Sequence, residues 1–210
     1  MSPLQQDIAR KLLQLKAFSI QVQHPFNWAN GWQAPIYLDD RKILSYPAAR
    51  NFFKLELARL VAENFPDTDI IAGIAVNAIG HGLLVAEQLN LPFVSVYPFP
   101  KDHGLENQIE GDLRPRQRVV IIENQISHGD HAKRVMDALR NNGCQVEGVV
   151  SLFNYEFPIP ARQFEHAGVK VLSLTDFTSL IEELQTNNLY TPEDTDALIS
   201  WHKDPINWNN

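Results

Sequence analysis

Short apolar runs alternate with amphipathic segments along most of the chain. The runs that have the length of a buried strand lie at 69–75, 92–97, 118–122, 146–153 and 169–174. Segments with apolar residues at helical spacing lie at 47–65, 80–89, 132–139, 161–167 and 178–184. Because strands that alternate with helices usually form a parallel sheet with both faces covered, the pattern predicts an α/β fold.

The two ends of the chain predict a smaller structure beside this sheet. Ser2 with Pro3, and Thr191 with Pro192, are typical helix starts. Residues 24–32 are rich in turn formers, and residues 35–41 have the pattern of a short strand. We therefore expect one domain over residues 1–210, in which about residues 1–45 and the C-terminal tail form a cap and about residues 46–185 form the core.

The segment from Arg118 to Leu139 combines a strand, a polar loop and a helix. The predicted strand ends at Ile122, the loop runs from Glu123 through His131, and Gly143 ends the helical pattern. In open α/β sheets, ligands bind beyond the carboxyl ends of the strands. A helix start presents free backbone N–H groups that favour a phosphate or carboxylate. The segment therefore predicts an anion-binding site.

Composition and charge narrow the possible partners. The chain has 210 residues, 44% of them hydrophobic, a net charge of −7 and a pI of about 5.4, which argues against nucleic acid and anionic membranes as partners. Cys144 is the only cysteine, so no internal disulfide can form, and we expect it to be buried and inert. Since no run approaches 18 apolar residues and no signal peptide is recognisable, we expect a soluble cytoplasmic protein.

Three stretches of the chain resemble the orotate phosphoribosyltransferases. Residues 25–41 read PFNWANGWQAPIYLDDR, which is similar to the family's amino-terminal motif. Residues 101–111 read KDHGLENQIEG, which is similar to the family's flexible catalytic loop. Residues 119–131 lie where the family carries its motif for phosphoribosyl pyrophosphate (PRPP). The resemblance implies a type I phosphoribosyltransferase fold, in which helices flank a mostly parallel sheet and the chain ends form a small hood.

The resemblance also implies an activity and a set of site residues. The family transfers ribose 5-phosphate from PRPP to orotate with Mg²⁺, giving orotidine 5′-monophosphate and pyrophosphate, and works as a homodimer with shared active sites. The implied catalytic residues are Lys101, His103 and Glu123. The implied substrate-binding residues are Tyr97, Asn124, Gln125, Ile126, Ser127, His128, Gly129, Asp130 and His131. A Lys and a His on a closing loop can neutralise charge that gathers on the leaving pyrophosphate.

Several of these positions depart from the family pattern. Asn124 replaces the second acid of a Glu-Asp pair, Tyr97 replaces an arginine, and Val76-Asn77-Ala78 replaces small residues with glycine. Asp130 would face a phosphate, and two unit charges about 4 Å apart repel by about 4 kcal/mol at an effective dielectric near 20. The repulsion is smaller if Asp130 points away, is protonated, pairs with a neighbouring histidine or caps its own helix. The alternative is thus a catalytically impaired paralogue, acting as a nucleotide-binding, anion-binding or regulatory dimer.

The histidines allow a further hypothesis, a metal site. His128, Asp130 and His131 are three potential ligands, but ligands so close together at a helix start rarely converge on one ion. We therefore expect no metal site built by the protein alone. We expect His81 and His166 to lie on helix surfaces.

Overall fold

A computed structural model of the protein describes residues 2–100, 107–187 and 190–208. The chain divides into two compact units, one formed by residues 1–43 and 175–210 and the other by residues 44–174. The division into a core and a cap that the sequence suggested stays a prediction. Within the described ranges, every helix is too short or too polar to cross a lipid bilayer.

The helices and strands follow each other in the expected alternating order. The helices are α1 (Pro3–Gln14), α2 (Lys42–Ser45), α3 (Pro47–Asn64), α4 (Ile79–Leu89), α5 (Asp130–Asn141), α6 (Pro158–His166), α7 (Phe177–Asn187) and α8 (Pro192–Lys203). The strands are β1 (Phe18–Ile20), β2 (Phe26–Asn27), β3 (Gln33–Ala34), β4 (Ile36–Leu38), β5 (Ile70–Ile74), β6 (Phe93–Val96), β7 (Ile109–Glu110), β8 (Arg118–Ile126), β9 (Gln145–Asn154) and β10 (Lys170–Asp176).

The central sheet has six strands in the order β10-β9-β8-β5-β6-β7. Strand β5 pairs in parallel with both β6 and β8, and β8 pairs in parallel with β9. The short edge strand β7 runs antiparallel to its neighbour β6. The predicted α/β fold with a mostly parallel sheet is confirmed. Strand β7 escaped prediction because its two residues lie in a polar segment without a strand pattern.

Strand β8 is buried along its first half. Val119, Val120, Ile121 and Ile122 have no exposed surface, as expected for a strand whose two faces are both covered. The strand does not end at Ile122, as predicted, but continues to Ile126. Its polar second half stays in the sheet because main-chain pairing with β9 does not depend on side-chain polarity.

The first unit is organised around Trp201 of α8. This side chain has no exposed surface, its Nε1–H donates to the carbonyl oxygen of Gln33 at 3.0 Å, and Trp28 meets its ring edge-on at 5.3 Å. Ser2 and Thr191 cap α1 and α8 with reciprocal side-chain hydrogen bonds, which confirms both predicted helix starts. The short strands β1, β2 and β3 were not predicted, because runs of two or three residues are too short to show a strand pattern.

Gly148 in β9 is the position where the second unit is packed most tightly. A Cβ there would collide with the ring of Phe65 and lie 3.0 Å from the carbonyl oxygen of Lys170. We expect Gly148→Ala to lower the free energy of unfolding by about 1–3 kcal/mol through overpacking. In a Phe65→Leu background, Gly148→Ala should lower the free energy of unfolding by less than about half of that amount, because leucine leaves the space that the phenylalanine ring occupies. Urea unfolding of the four proteins measures this, and an equal cost in both backgrounds would contradict the packing explanation.

Candidate active site

The polar end of β8 places Glu123 and Asn124 at the carboxyl edge of the sheet. Both are nearly buried, with 6% and 7% of their surface exposed. Among the described residues, Glu123 Oε2 has no hydrogen-bond partner, and burial raises the pKa of this carboxyl to about 8. Glu123 is therefore mostly a neutral acid at neutral pH, which can donate one hydrogen bond and accept others.

Gly129 determines where α5 begins. It is buried, has φ of +77°, and stands directly before Asp130, the first residue of the helix. A Cβ at this position would lie 2.8 Å from Cβ of Pro160 in α6, so a side chain fits neither the backbone conformation nor the space. Gly129 has no side chain that could cap the helix, and the N–H groups of the first turn have no partner inside the helix. N–H groups in this position favour an anion such as a phosphate.

Ser127 and His128 lie in the short loop between Ile126 and Gly129. The hydroxyl oxygen of Ser127 is 3.1 Å from Nδ1 of His128. Burial lowers the pKa of His128, an effect that exceeds the opposing attraction of Asp130, and His131 lowers it slightly further. Because the pKa lies below its usual value of about 6.5, the ring is neutral at neutral pH and offers hydrogen bonds rather than positive charge.

Asp130 is exposed to solvent, and so is His131. The predicted repulsion of about 4 kcal/mol between Asp130 and a phosphate assumed a poorly solvated pair. For an exposed carboxylate the effective dielectric approaches that of water, and the same separation gives about 1 kcal/mol. The idea that Asp130 caps its own helix is wrong, because Gly129 occupies the N-cap position and no side-chain hydrogen bond is made there.

The remaining candidate residues differ in their burial and hydrogen bonding. Gln125 is half-buried, and Ile126 is 2% exposed and packs in the hydrophobic core, where its carbonyl oxygen accepts a hydrogen bond from Tyr155 N–H at 2.9 Å. The side chain of Ile126 therefore serves the core. Tyr97 follows β6 and donates its N–H to the carbonyl oxygen of Gln108 at 2.8 Å. Lys101 and His103 lie outside the described residues.

The loop from Ala75 to Ala78 lies at the same edge of the sheet. It joins β5 to α4, and β5 is parallel to both β6 and β8, so the carboxyl ends of all three strands lie together. The Ala75–Val76 peptide is cis, which nothing in the sequence indicated. Val76 is 73% exposed, whereas Ala78 is fully buried at the start of α4.

The structure corrects the expected position of one histidine. His81 is only 2% exposed and belongs to the buried side of α4, so its predicted surface position was wrong. The apolar residues around it in sequence did not reveal which face of the helix it occupies. Within the ranges that the structure describes, no group of three or more His, Cys, Asp or Glu side chains is arranged to hold a metal ion.

A cavity of about 300 Å³ lies beside α6, and sequence reasoning did not anticipate it. Ile126, Phe157, Pro160 and Phe164 are among the residues that line it. Pro160 and Phe164, together with Gln163, are also the residues nearest to the position of a Cβ on Gly129. Helix α6 therefore packs against the loop that precedes α5, and its apolar residues gave no signal that separates this role from ordinary core packing.

Comparison with known proteins gives close relatives. No protein-family model matches the chain. An orotate phosphoribosyltransferase of Phocaeicola vulgatus is 47% identical over 208 residues, which are 99% of this chain and 98% of the relative. One of Porphyromonas gingivalis is 48% identical over 201 residues, 96% of either chain. The crystal structure of orotate phosphoribosyltransferase from Aeropyrum pernix matches with a TM-score of 0.75 at 22% identity, covering 86% of this chain and 99% of that one. The structural match confirms the expected type I phosphoribosyltransferase fold.

The raised pKa of Glu123 predicts how stability changes with pH. The folded-state pKa of about 8 exceeds the reference pKa of 4.5, so between these two pH values the folded protein binds this proton more tightly than the unfolded chain. The free energy of unfolding therefore falls as pH rises through this window. Glu123→Gln removes this effect. Its stability advantage over the unmodified protein should grow with pH across that window, by up to about 1.4 kcal/mol per pH unit, and then level off.

Urea unfolding at a series of pH values measures this difference. The matched control is Glu165→Gln, which changes an exposed glutamate and should show a constant difference. A pH-independent advantage for Glu123→Gln would show that Glu123 is ionised in the folded protein.

Proposed function

The chain belongs to the orotate phosphoribosyltransferase family, and on that premise we propose that it transfers ribose 5-phosphate from PRPP to orotate, releasing pyrophosphate. The observation that supports this most strongly is the uncapped start of α5 behind Gly129, next to the buried pair Glu123 and Asn124. A phosphate site and a ribose site thus adjoin at one edge of the sheet, as a sugar phosphate requires.

In this proposal the 5-phosphate of PRPP binds at the start of α5. The N–H groups of the first turn donate to its oxygens, and the helix dipole favours the negative charge. Ser127 is half-buried beside these groups and can add a hydroxyl donor. Asp130 weakens the site by about 1 kcal/mol, since its carboxylate is solvated. A repulsion of about 1 kcal/mol is compatible with PRPP binding, whereas the repulsion of about 4 kcal/mol expected from the sequence was not.

Glu123 and Asn124 would bind the ribose hydroxyls. The neutral Glu123 carboxyl can donate to one hydroxyl and accept from another, and the Asn124 amide can do the same. As bond breaking gives the ribose cationic character, an ionised Glu123 becomes more favourable, because a nearby positive charge lowers the pKa of a carboxyl. Burial of Glu123 holds it in place without a competing protein partner among the described residues.

Lys101 and His103 would act on the leaving group. The resemblance to the family places them on the catalytic loop, where cationic or hydrogen-donating side chains neutralise the negative charge that develops on pyrophosphate. The catalytic role of these residues is part of the proposal, and so is the substrate-binding role of Tyr97, Asn124 and residues 125–131.

Mg²⁺ would bind at this site together with the phosphates of PRPP. Mg²⁺ is usually held by one or two carboxylates together with substrate phosphates and water, so it does not need a protein cage. Glu123, whose Oε2 is buried without a hydrogen-bond partner in the described part of the chain, is the residue that would help to hold it. Its carboxyl would have to ionise to do so, and the nearby cation would favour that by lowering its pKa. The ion would supply positive charge to the pyrophosphate oxygens.

A homodimer is also part of the proposal. Tyr46, Leu55 and Leu83 in the second unit are large apolar residues with 53%, 49% and 52% of their surface exposed. Leu55 and Leu83 lie on helices α3 and α4, which an ion pair between Lys54 and Glu87 joins at 3.2 Å. Exposed apolar residues on adjoining helices favour a protein interface, and family membership supports a second copy of the chain as the partner.

We also propose a cytoplasmic location. Cys144 is buried, and burial raises the pKa of its thiol, which keeps it protonated and unreactive. A single inert cysteine is what a reducing compartment permits.

The transferase reaction itself is the first test. Purified protein with Mg²⁺, PRPP and orotate should form orotidine 5′-monophosphate, followed by the loss of orotate absorbance. Lys101→Ala should lower kcat by about 10²- to 10³-fold, the usual cost of removing one group that stabilises developing charge. Lys203→Ala, at the end of α8, serves as the control and should be unaffected.

Absence of turnover in a protein that circular dichroism shows to be folded would reject the enzyme. Calorimetric titration with PRPP would then decide what remains. Retained binding would support an anion-binding paralogue, and loss of binding would leave only a paralogue that binds another nucleotide or acts as a regulatory dimer.

The exposed position of Asp130 predicts a modest gain when its charge is removed. Asp130→Asn should tighten PRPP binding by about fivefold, which corresponds to about 1 kcal/mol of solvated repulsion. Because salt screens exposed charges, the gain should shrink in 1 M salt, where the Debye length is about 3 Å. Asp137→Asn, on the same helix but further from its start, is the control. A gain that persists in high salt would show that Asp130 acts sterically.

A further inference from the structure

Arg134 and Phe99 form a contact that the proposed function does not yet use. Arg134 lies in α5, one helical turn after Asp130. The central carbon of its guanidinium is 4.5 Å from the centroid of the Phe99 ring. Phe99 follows β6 and is 56% exposed, so the contact does not serve to bury the ring in a core. It joins the helix that follows β8 to the chain segment that follows β6.

The sheet order shows how far this contact reaches. Strands β6 and β8 flank β5, and each pairs with it in parallel. Since neighbouring strands are about 4.8 Å apart, the contact spans roughly 10 Å across the carboxyl edge. The contact therefore links α5, which follows β8, to the segment after β6, across the position of β5 in the sheet.

The stacking leaves the hydrogen-bond donors of Arg134 available. A guanidinium that packs over an aromatic ring covers one face, while its five N–H groups point outward in its plane. In the part of the chain that the structure describes, Arg134 has no carboxylate partner. The adjacent Lys133 differs in this respect, because its Nζ is 2.7 Å from Asp137.

We propose that Arg134 binds the pyrophosphate group of PRPP through two parallel N–H···O contacts, held in position by Phe99. The chemistry favours this ligand, because the planar fork of arginine matches two phosphate oxygens, and His128 contributes no full charge near neutral pH. Arg134 would supply a cation at an edge where Tyr97 brings none. This inference rests on the proposed function for the identity of the ligand.

Binding of inorganic pyrophosphate with Mg²⁺, measured by isothermal titration calorimetry, tests the proposal without requiring turnover. Arg134→Ala should raise Kd on the order of 10- to 100-fold, the range expected for a charged hydrogen-bonded contact. Arg134→Lys should recover part of the loss, because it restores the charge but not the fork. Phe99→Leu, which removes the ring but keeps the charge, should raise Kd by about 2- to 5-fold.

Lys133→Ala is the matched control, since it removes one positive charge from the neighbouring position. It should change Kd by less than about twofold, as expected for a charge already paired at the surface. If Arg134→Ala behaves like Lys133→Ala, or the unmodified protein binds no pyrophosphate, the proposal is overturned. In the transferase assay, Arg134→Ala should raise KM for PRPP and leave KM for orotate unchanged.

The two proposals can fail separately. A protein that binds pyrophosphate in an Arg134-dependent manner but forms no orotidine 5′-monophosphate retains the site and lacks the activity. A protein that turns over normally after Arg134→Ala retains the activity and lacks this contact.

Discussion

Gly129 lies against α6 in a left-handed backbone conformation, and the candidate site depends on this close approach. Only a residue without a side chain can bring the chain within contact of Pro160 and still turn into α5. The turn directs the first N–H groups of the helix towards the carboxyl edge of the sheet. Without it, the loop would move away from Glu123 and Asn124, and the proposed phosphate and ribose sites would no longer adjoin.

Burial and exposure reduce the charge that the site residues carry. Burial keeps Glu123 protonated and His128 unprotonated, because both shifts favour the neutral form. Asp130 is exposed, and solvent weakens the field of its carboxylate. In the proposed function, the attraction for an anion therefore comes mainly from backbone N–H groups and from Arg134.

Sequence patterns predicted five of the six strands of the central sheet, because each of these five contains an apolar run with the length of a buried strand. Sequence patterns failed where backbone pairing, burial or a contact between distant residues determines the structure. Strand β8 continues through polar residues to Ile126, since its main-chain hydrogen bonds with β9 do not depend on side-chain polarity. His81 is buried although the residues around it in sequence did not reveal which face of the helix it occupies, and the contact of Arg134 with Phe99 joins residues far apart in the chain. The charge state of Glu123 follows from burial, which composition and spacing do not reveal.

The extension of β8 has a consequence for how such a site can vary. Glu123 and Gln125 are paired through the main chain to Ser151 and Phe153, so their positions do not depend on what their side chains bind. Replacement of one polar side chain by another of similar size at these positions leaves the scaffold undisturbed. The backbone position of this strand therefore tolerates a change of chemistry, although the charge of a buried side chain such as Glu123 still changes stability.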